Sequence, residues 1–526
     1  MSELDKSKRS GSWSSSAITP NPNQEISKGS ADHARMEQEA GVLIKQGKFQ
    51  EAEEIYRGLI AARTSNYIVY ANLAAICGLQ GKFDDFIDLL KKALELNPKH
   101  PDTHNNLGFA FQRQGDSDAA ITSYKKALEL NFSFPEAHYN LGTALHEQGD
   151  LTATIASFNN ALELNPNFPD AHNNLGVALF EQGDLTAAIA SFDNALKLNP
   201  NFPDVHWNSS LAMLLGGDYR KGWEEYEWRF KKQKDTIRPN AFPKCRLWNG
   251  ERPSQDDQLL LVSEQGLGDT LHFIRYALTL QNQGVALALC APRKLHSLIQ
   301  ASGIDSSPLT PEQANQVTDG LWVPILSLPR ILEVSPENPI ITEPYIKTTD
   351  DLTAKWNGML SAEETPIIGI NWQGNPKTEK MGLRGRSLPL EALGPIASKT
   401  NASMLSLQKG FGSEQLEACS FKSHFVSCQD EVNEIWDFLE TAAIIANCDL
   451  VITSDTSVAH LAGGMGKTTW VLLHKVPDWR WGLEGDTTFW YPSMRLFRQR
   501  ERGNWVEVIE RVVEELQTHF RDELGA

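Results

Sequence analysis

The chain has 526 residues, 41% hydrophobic and 22% charged, which excludes collagen-like repeats and wholesale disorder and suggests about three to four domains at roughly 150 residues each. Its 49 basic and 67 acidic residues leave a net charge of −18; a general nucleic-acid binder needs a basic face that this balance does not supply, although one local basic pocket is compatible with it. Cys77, Cys245, Cys290, Cys419, Cys428 and Cys448 form no CxxC pair and no apolar run reaches 18 residues, so a disulfide scaffold, a zinc cluster and a transmembrane segment are not expected, and the chain reads as cytoplasmic with reduced thiols.

Residues 1–31 are rich in Ser, Pro, Asn and Lys, lack the apolar stretch of a signal peptide, and are expected to form a flexible tail. From residue 32 to 235 the text repeats. Gly47, Gly81, Gly115, Gly149, Gly183 and Gly217 recur every 34 residues, within phrases such as FPEAHYNLGTALHEQGD and FPDAHNNLGVALFEQGD. In one repeat Leu175, Ala178 and Leu179 make an apolar stripe at helical spacing, and Ala188, Phe192 and Ala195 make the facing one. Gly142, Gly176, Ala161 and Ala195 permit close helix approach, while Gly149 and Gly183 stand where the turn requires a left-handed residue. A hairpin of this kind cannot bury its face alone, so the repeats are expected to stack into an α solenoid. The 34-residue period with two helical patterns resembles the tetratricopeptide (TPR) family over residues 32–235.

Asn72, Asn106, Asn140, Asn174 and Asn208 share the same spacing on the first helix of each repeat. On the inner surface of a solenoid such a ladder of amides would bond an extended peptide backbone of a protein partner; the alternative is that each asparagine bonds within its own repeat. The ladder resembles that of O-linked N-acetylglucosamine transferases, which implies a groove for protein substrates. The sequons at Asn131, Asn208 and Asn401 are read as accidental, and Asp116-Ser-Asp118, at a repeat turn, is not read as a metal site.

Residues 236–256, rich in Pro and Arg, read as a linker. Strand and helix patterns then alternate: apolar runs at 259–262, 285–290 and 321–325, and again at 367–370, 403–407, 450–453 and 469–473. Two such series predict two Rossmann-like lobes, 257–350 and 351–526, with parallel sheets and a cleft at the strand C-termini. The loop Gln265-Gly-Leu-Gly-Asp-Thr270 follows a strand and opens a helix, and so do Ser454-Asp-Thr-Ser-Val-Ala-His460; both offer backbone N–H groups to an anion. Asp455, Thr456 and Ser457 are expected to cap the second helix. Gly463-Gly-Met-Gly-Lys467 lacks the first glycine of a P-loop and has the reverse strand order, so ATP hydrolysis is not expected.

The GxGD loop and the SDTSVAHLAG segment resemble the heptosyltransferase family, glycosyltransferase family 9, whose two lobes form the GT-B arrangement. Ile370-Asn-Trp-Gln-Gly-Asn375, Arg384-Gly-Arg-Ser-Leu-Pro389 and Pro477-Asp-Trp-Arg-Trp481 match the branch fused to TPR arrays. The resemblance covers about residues 236–515 and implies a metal-independent, inverting glycosyltransferase using a nucleotide-sugar donor and no resident cofactor or metal. It implies donor contacts at Gly266, Gly268, Trp372, Gly374, Asn375, Asp455, Thr456, Ser457 and His460, with Asp269 as general base. For the leaving diphosphate Lys377, Lys380, Arg384 and Arg386 are open, the arginines fitting the fused branch better and Arg386 being carried forward. His272 is a backup base or a packed histidine, and Trp479-Arg480-Trp481 either stack on a ligand or wedge the lobes. The C-terminal apolar pattern over 505–520 is expected to form a helix crossing back to the first lobe. A non-catalytic TPR scaffold and a protein O-glycosyltransferase are the alternative functions, the acceptor being a protein or a glycan.

Overall fold

The computed structural model describes residues 28–232, 238–254, 256–340, 343–379 and 385–520. The chain divides into two compact units, one through Val205 and one from His206. Among the described residues no helix is long and apolar enough to cross a membrane. The expected tail lies outside the described residues up to residue 27; from Lys28 the chain is already in its first helix, Lys28–Lys45.

The first unit is a run of helical hairpins whose later members are Pro101–Gln114 with Ser117–Leu130, Pro135–Gln148 with Leu151–Leu164, and Pro169–Gln182 with Leu185–Leu198. Each begins with a proline whose missing N–H costs the first turn nothing. Gly149 (φ 88°) and Gly183 (φ 97°) end first helices in the left-handed region. Asp150 and Asp184 then accept from the N–H of Ala153 and Ala187, starting the second helices. A Cβ on Gly176 would come 2.5 Å from Phe192 Cε1, so the absent side chain lets the two helices meet over that ring. The expected solenoid helices are therefore present, built as their stripes require.

The repeat unit ends earlier than the period. The sixth hairpin, α1 (Pro203–Leu215) and α2 (Tyr219–Tyr226), belongs from His206 onward to the second unit. Trp223 on α2 donates through Nε1 to the Val334 carbonyl at 2.9 Å and packs edge-on against Trp479 at 5.1 Å. Arg229, just after α2, is buried and forms a bidentate pair with Glu264, Nε to Oε2 and Nη2 to Oε1, each at 3.0 Å.

The second unit carries two parallel sheets. The first has the order β1 (Arg246–Leu247), β4 (Leu321–Pro324), β2 (Leu259–Val262), β3 (Leu287–Cys290). The expected linker 236–256 is thus corrected: it supplies the edge strand β1, paired with β4, and buries Ala241 and Trp248. Alternate polar and apolar residues among prolines are enough for a two-residue edge strand, where a missing N–H is tolerated. The second sheet has the order β6 (Ser403–Ser406), β5 (Ile367–Asn371), β7 (Leu450–Ser454), β8 (Thr469–Leu473), β9 (Met494–Arg498). Its three central strands, β5, β7 and β8, are buried on both faces and mostly apolar, as a covered parallel sheet requires. The crossing order reverses between β5 and β7, so their C-terminal ends open on a topological switch point.

Helix α3 (Leu267–Phe273) follows β2, and α4 (Ser457–Gly464) follows β7. The last helix, α5 (Trp505–His519), does not cross to the first sheet. Its Val508, Ile509, Val512, Val513 and Leu516 share one core with Ile368, Ile370, Ile452, Leu472 and Phe497 of the second sheet. This corrects the expected crossing: its apolar stripe matches the near face of its own sheet.

Candidate functional site

The two βα turns singled out in the sequence meet. A Cβ on Gly268 would lie 3.0 Å from His460 Cδ2 and 3.4 Å from Ser457 Cα, so the start of α3 rests directly on the start of α4. Asp269 closes the junction. Its Oδ2 accepts from the Gly266 N–H at 3.0 Å, and its Oδ1 pairs with Arg480 Nη2 at 2.6 Å, while Arg480 Nη1 holds Asp478 at 2.8 Å. The Asp269 side chain keeps 20% of its surface exposed. Burial raises it above the ordinary carboxylate value, against the pull of Arg480.

Several expected donor residues face inward. His460 is buried, with Nδ1 3.0 Å from the Tyr491 hydroxyl and its ring stacked 5.6 Å from Trp481. His272 is fully buried on the same hydroxyl at 2.8 Å, so the packed reading holds for it. Trp372 lies wholly inside the core, which corrects its expected place against a donor. Trp479, Arg480 and Trp481 are all buried and act as the wedge, with no face open to a ligand. An isolated motif cannot report this, because burial depends on partners such as Tyr491 that are far away in sequence.

The remainder gathers along the C-terminal ends of β5, β7, β8 and β9. No side chain caps α4: its N-cap residue Thr456 turns its hydroxyl to Asn371 Oδ1 at 2.9 Å. The expected capping by Asp455 is therefore corrected; its carboxyl is buried and its carbonyl accepts from Arg386 Nη1 at 3.2 Å. Arg386 lies over Gly374, where a Cβ would sit 2.5 Å from Nη2, and its Nε is 3.6 Å from Glu379. Asn375 and Gly266 are exposed, and Thr456 and Ser457 half-buried. Lys377 lies in the short helix Pro376–Glu379; Lys380 and Arg384 lie outside the described residues. On this shelf Ser454 Oγ, His474 Nδ1 and Gln499 Nε2 are buried without a partner among the described residues. Burial and Asp478 push Asp455 up to about 6, opposed by Arg386 and Arg480. Burial, then Arg502 and Arg386, push His474 down to about 4. Sequence reasoning missed His474 and Gln499, which stand in no motif but directly follow β8 and the edge strand β9.

These groups set a pH dependence. His272 and His460 are also held well below the ordinary histidine value by burial and nearby arginines. Below about pH 6.5 the unfolded chain binds protons at these three histidines that the folded chain refuses, so stability falls with pH, by about 1.4 kcal/mol per unit for each. From about pH 6 downward Asp455 opposes this, because there the folded chain holds the extra proton; Asp269 and Glu264, also raised by burial, act in the same sense. Thermal melts are expected to show a midpoint that falls between about pH 6.5 and 5, the three histidines outweighing the single aspartate. A midpoint that rises across that interval would overturn the assignment.

Four members of the asparagine ladder lie in the repeat unit and Asn208 lies in the second unit. Asn72, Asn106 and Asn140 are buried and Asn174 and Asn208 half-buried. Asn72 Nδ2 donates to the Tyr56 hydroxyl at 3.0 Å, Asn140 Nδ2 to Asn105 Oδ1 at 3.0 Å, and Asn174 Nδ2 to the Tyr139 hydroxyl at 3.1 Å. The expected peptide-reading surface is corrected for Asn72, Asn106 and Asn140: two residues 35 apart, Asn105 and Asn140, bond one repeat to the next. Asn140→Ala is expected to cost about 1–3 kcal/mol by stranding a buried acceptor, read as an earlier thermal transition. An unchanged transition would return the amides to a binding role.

A family model described as TPR repeat matches residues 76–115, 113–149 and 142–183, and one described as tetratricopeptide repeat matches 169–202. Residues 76–202 are tetratricopeptide repeats, modules whose stacked surfaces take protein partners. Protein FlbA of Caulobacter vibrioides is 25% identical over 315 residues, covering 56% of this chain and 51% of its own, so the chain spans about half the length of that curated relative. Similar solved structures include MamA (26% identity, 30% of this chain and 93% of that one, TM-score 0.29). YrrB, described as a TPR protein with an unusual peptide-binding site, shows 22% identity over 34% of this chain and 93% of its own, with TM-score 0.31. PilF of Pseudomonas aeruginosa shows 20% identity, 42% and 86% coverage, and TM-score 0.32.

Proposed function

We propose that this chain, with tetratricopeptide repeats over 76–202, is a glycosyltransferase whose repeats recruit a protein acceptor or partner and whose α/β unit is a metal-independent, inverting GT-B-type domain using a nucleotide-sugar. The observation that carries this reading is the polar shelf at the C-terminal ends of β5, β7, β8 and β9, with buried polar atoms lacking partners and an uncapped helix start beside Arg386. A parallel sheet binds ligands at this edge, and free helix N–H groups with an arginine suit a diphosphate.

In transfer, the acceptor hydroxyl oxygen bonds to the anomeric carbon as the bond to the diphosphate oxygen breaks, inverting that carbon. The leaving diphosphate gains charge, which the start of α4 and Arg386 stabilise. The acceptor's proton passes to the Asp269 carboxylate, whose oxygens each keep a lone pair beyond their present bonds. Calorimetry with UDP-glucose, ADP-glucose, GDP-mannose and their nucleoside diphosphates is expected to show binding that Arg386→Ala weakens. The absence of heat with all of them would sink the reading. A second reading, a non-catalytic scaffold, is favoured by the double engagement of Asp269 with Gly266 and Arg480. It is distinguished by donor binding without transfer or hydrolysis.

A further inference from the structure

The shelf extends beyond the diphosphate end. β8 stops at Leu473 and β9 at Arg498, yet the ladder runs one residue further, the Gln499 N–H donating to the Leu473 carbonyl at 2.9 Å. His474 and Gln499 are therefore lateral neighbours. Leu472 pairs with Phe497, and both lie in the core shared with α5. The alternation of the pleat places residues 474 and 499 on that same face, one layer nearer the open edge, with neighbouring strands about 4.8 Å apart.

Both side chains are buried, 8% and 3% exposed, and each ends in an atom without a partner among the described residues, His474 Nδ1 and Gln499 Nε2. The glutamine is not free to turn. Its Oε1 accepts from the Gly503 N–H at 3.0 Å, which commits the amide nitrogen to the other side. A buried polar atom left unpaired is costly, and native structures reserve such atoms for a ligand or an ordered water. The groups bearing on His474 are Arg502, Arg386 and Arg498 on one hand and Asp478 on the other. Burial, with the three cations beside it, keeps the imidazole neutral, so that it donates or accepts according to tautomer, beside an amide N–H that only donates. Hydroxyl groups, which donate and accept, complement that pair; a second phosphate would leave a neutral imidazole acceptor facing an anion.

We propose that His474 and Gln499 form a polyol subsite, binding two vicinal hydroxyls of one sugar ring of a nucleotide-sugar that lies along the shelf. The inference rests on the nucleotide-sugar reading above. The ring is either the ribose or the transferred sugar, which share this chemistry.

The test is calorimetry on the full chain and on His474→Ala and Gln499→Met, with inorganic pyrophosphate, UDP, UDP-glucose, ADP, ADP-glucose, GDP and GDP-mannose as probes. Pyrophosphate affinity is expected to be unchanged, while the nucleotide-sugar that the wild type prefers binds about tenfold more weakly to each variant. Equal loss for its bare diphosphate assigns the ribose; loss confined to the sugar-bearing probe assigns the transferred sugar. Wild-type affinity for every probe in both variants overturns the subsite, an ordered water being then the partner of both atoms, while pyrophosphate binding leaves the diphosphate reading standing. If the wild type binds no probe, pyrophosphate included, the nucleotide-sugar reading falls and the subsite with it. Should either variant fail to fold, Gln499→Glu, which keeps the acceptor for Gly503 and removes the donor, takes its place. In the wild type the His474 ring nitrogen resonances are expected to shift on adding the preferred nucleotide-sugar but not pyrophosphate; unmoved resonances count against the proposal.

Discussion

Asp269→Asn is expected to keep nucleotide-sugar affinity and lose about 10²- to 10⁴-fold in transfer rate, the usual range for removing a general base. Asparagine preserves shape, and its oxygen still accepts from the Gly266 N–H or from Arg480. Arg480 also retains Asp478 at 2.8 Å, so its guanidinium is not left unpaired. The junction of α3 with α4 rests on Gly268 against Ser457 and His460, none of which changes. The loss should therefore appear in turnover at saturating donor, with circular dichroism unaltered. Turnover near that of the wild type would make the aspartate a clamp between the two βα turns and strengthen the scaffold reading.

Arg229→Met is expected to destabilise the second unit by about 3–5 kcal/mol, because it strands the Glu264 carboxylate in the interior. Glu264 is fully buried. Besides Arg229, its Oε1 accepts from the Leu326 N–H at 3.2 Å. Burial already raises the carboxyl above its ordinary value even with the guanidinium in place. Arg229→Met combined with Glu264→Gln removes the stranded charge and should recover a large part of the loss. The measurement is the urea midpoint followed by tryptophan fluorescence, to which Trp223 on α2 contributes. A single variant within about 1 kcal/mol of the wild type would mean that the pair is dispensable and that contacts such as Trp223 with Val334 and Tyr226 with Gln265 hold α2 in place.

What the sequence discloses is local and periodic. The 34-residue spacing of Gly149 and Gly183 predicts hairpins because a left-handed turn and two apolar stripes are short-range requirements. The long strands are equally plain, since residues 450–452 and 470–473 are continuous apolar runs. β1 and β9 are less so: one has two residues, and the other alternates Arg495 and Arg498 with apolar residues, as a loop would. The candidate site is half legible. Asp455, Thr456 and Ser457 stand where the strand-to-helix turn places them, but the inward turn of His460 and Trp372 is set by partners such as Tyr491 and by the common core. Separation in sequence likewise hides the bond of Arg480 to Asp269, 211 residues away, and that of Asn140 to Asn105, 35 residues away.

The sixth hairpin shows how a period and a structural allegiance can part. α1 and α2 keep the spacing of the repeats, with Gly217 in the turn, but Trp223 and Arg229 bind them into the α/β unit. Whole repeats can be inserted or deleted ahead of Val205 at the cost of one nearest-neighbour interface each, so the length of the array is open to change over evolution. The last hairpin is not exchangeable in that way. Excising it with the repeats would uncover Trp479 and leave Glu264 charged in an apolar interior, so a separately expressed α/β half must begin near residue 206 and not where the repeating text stops.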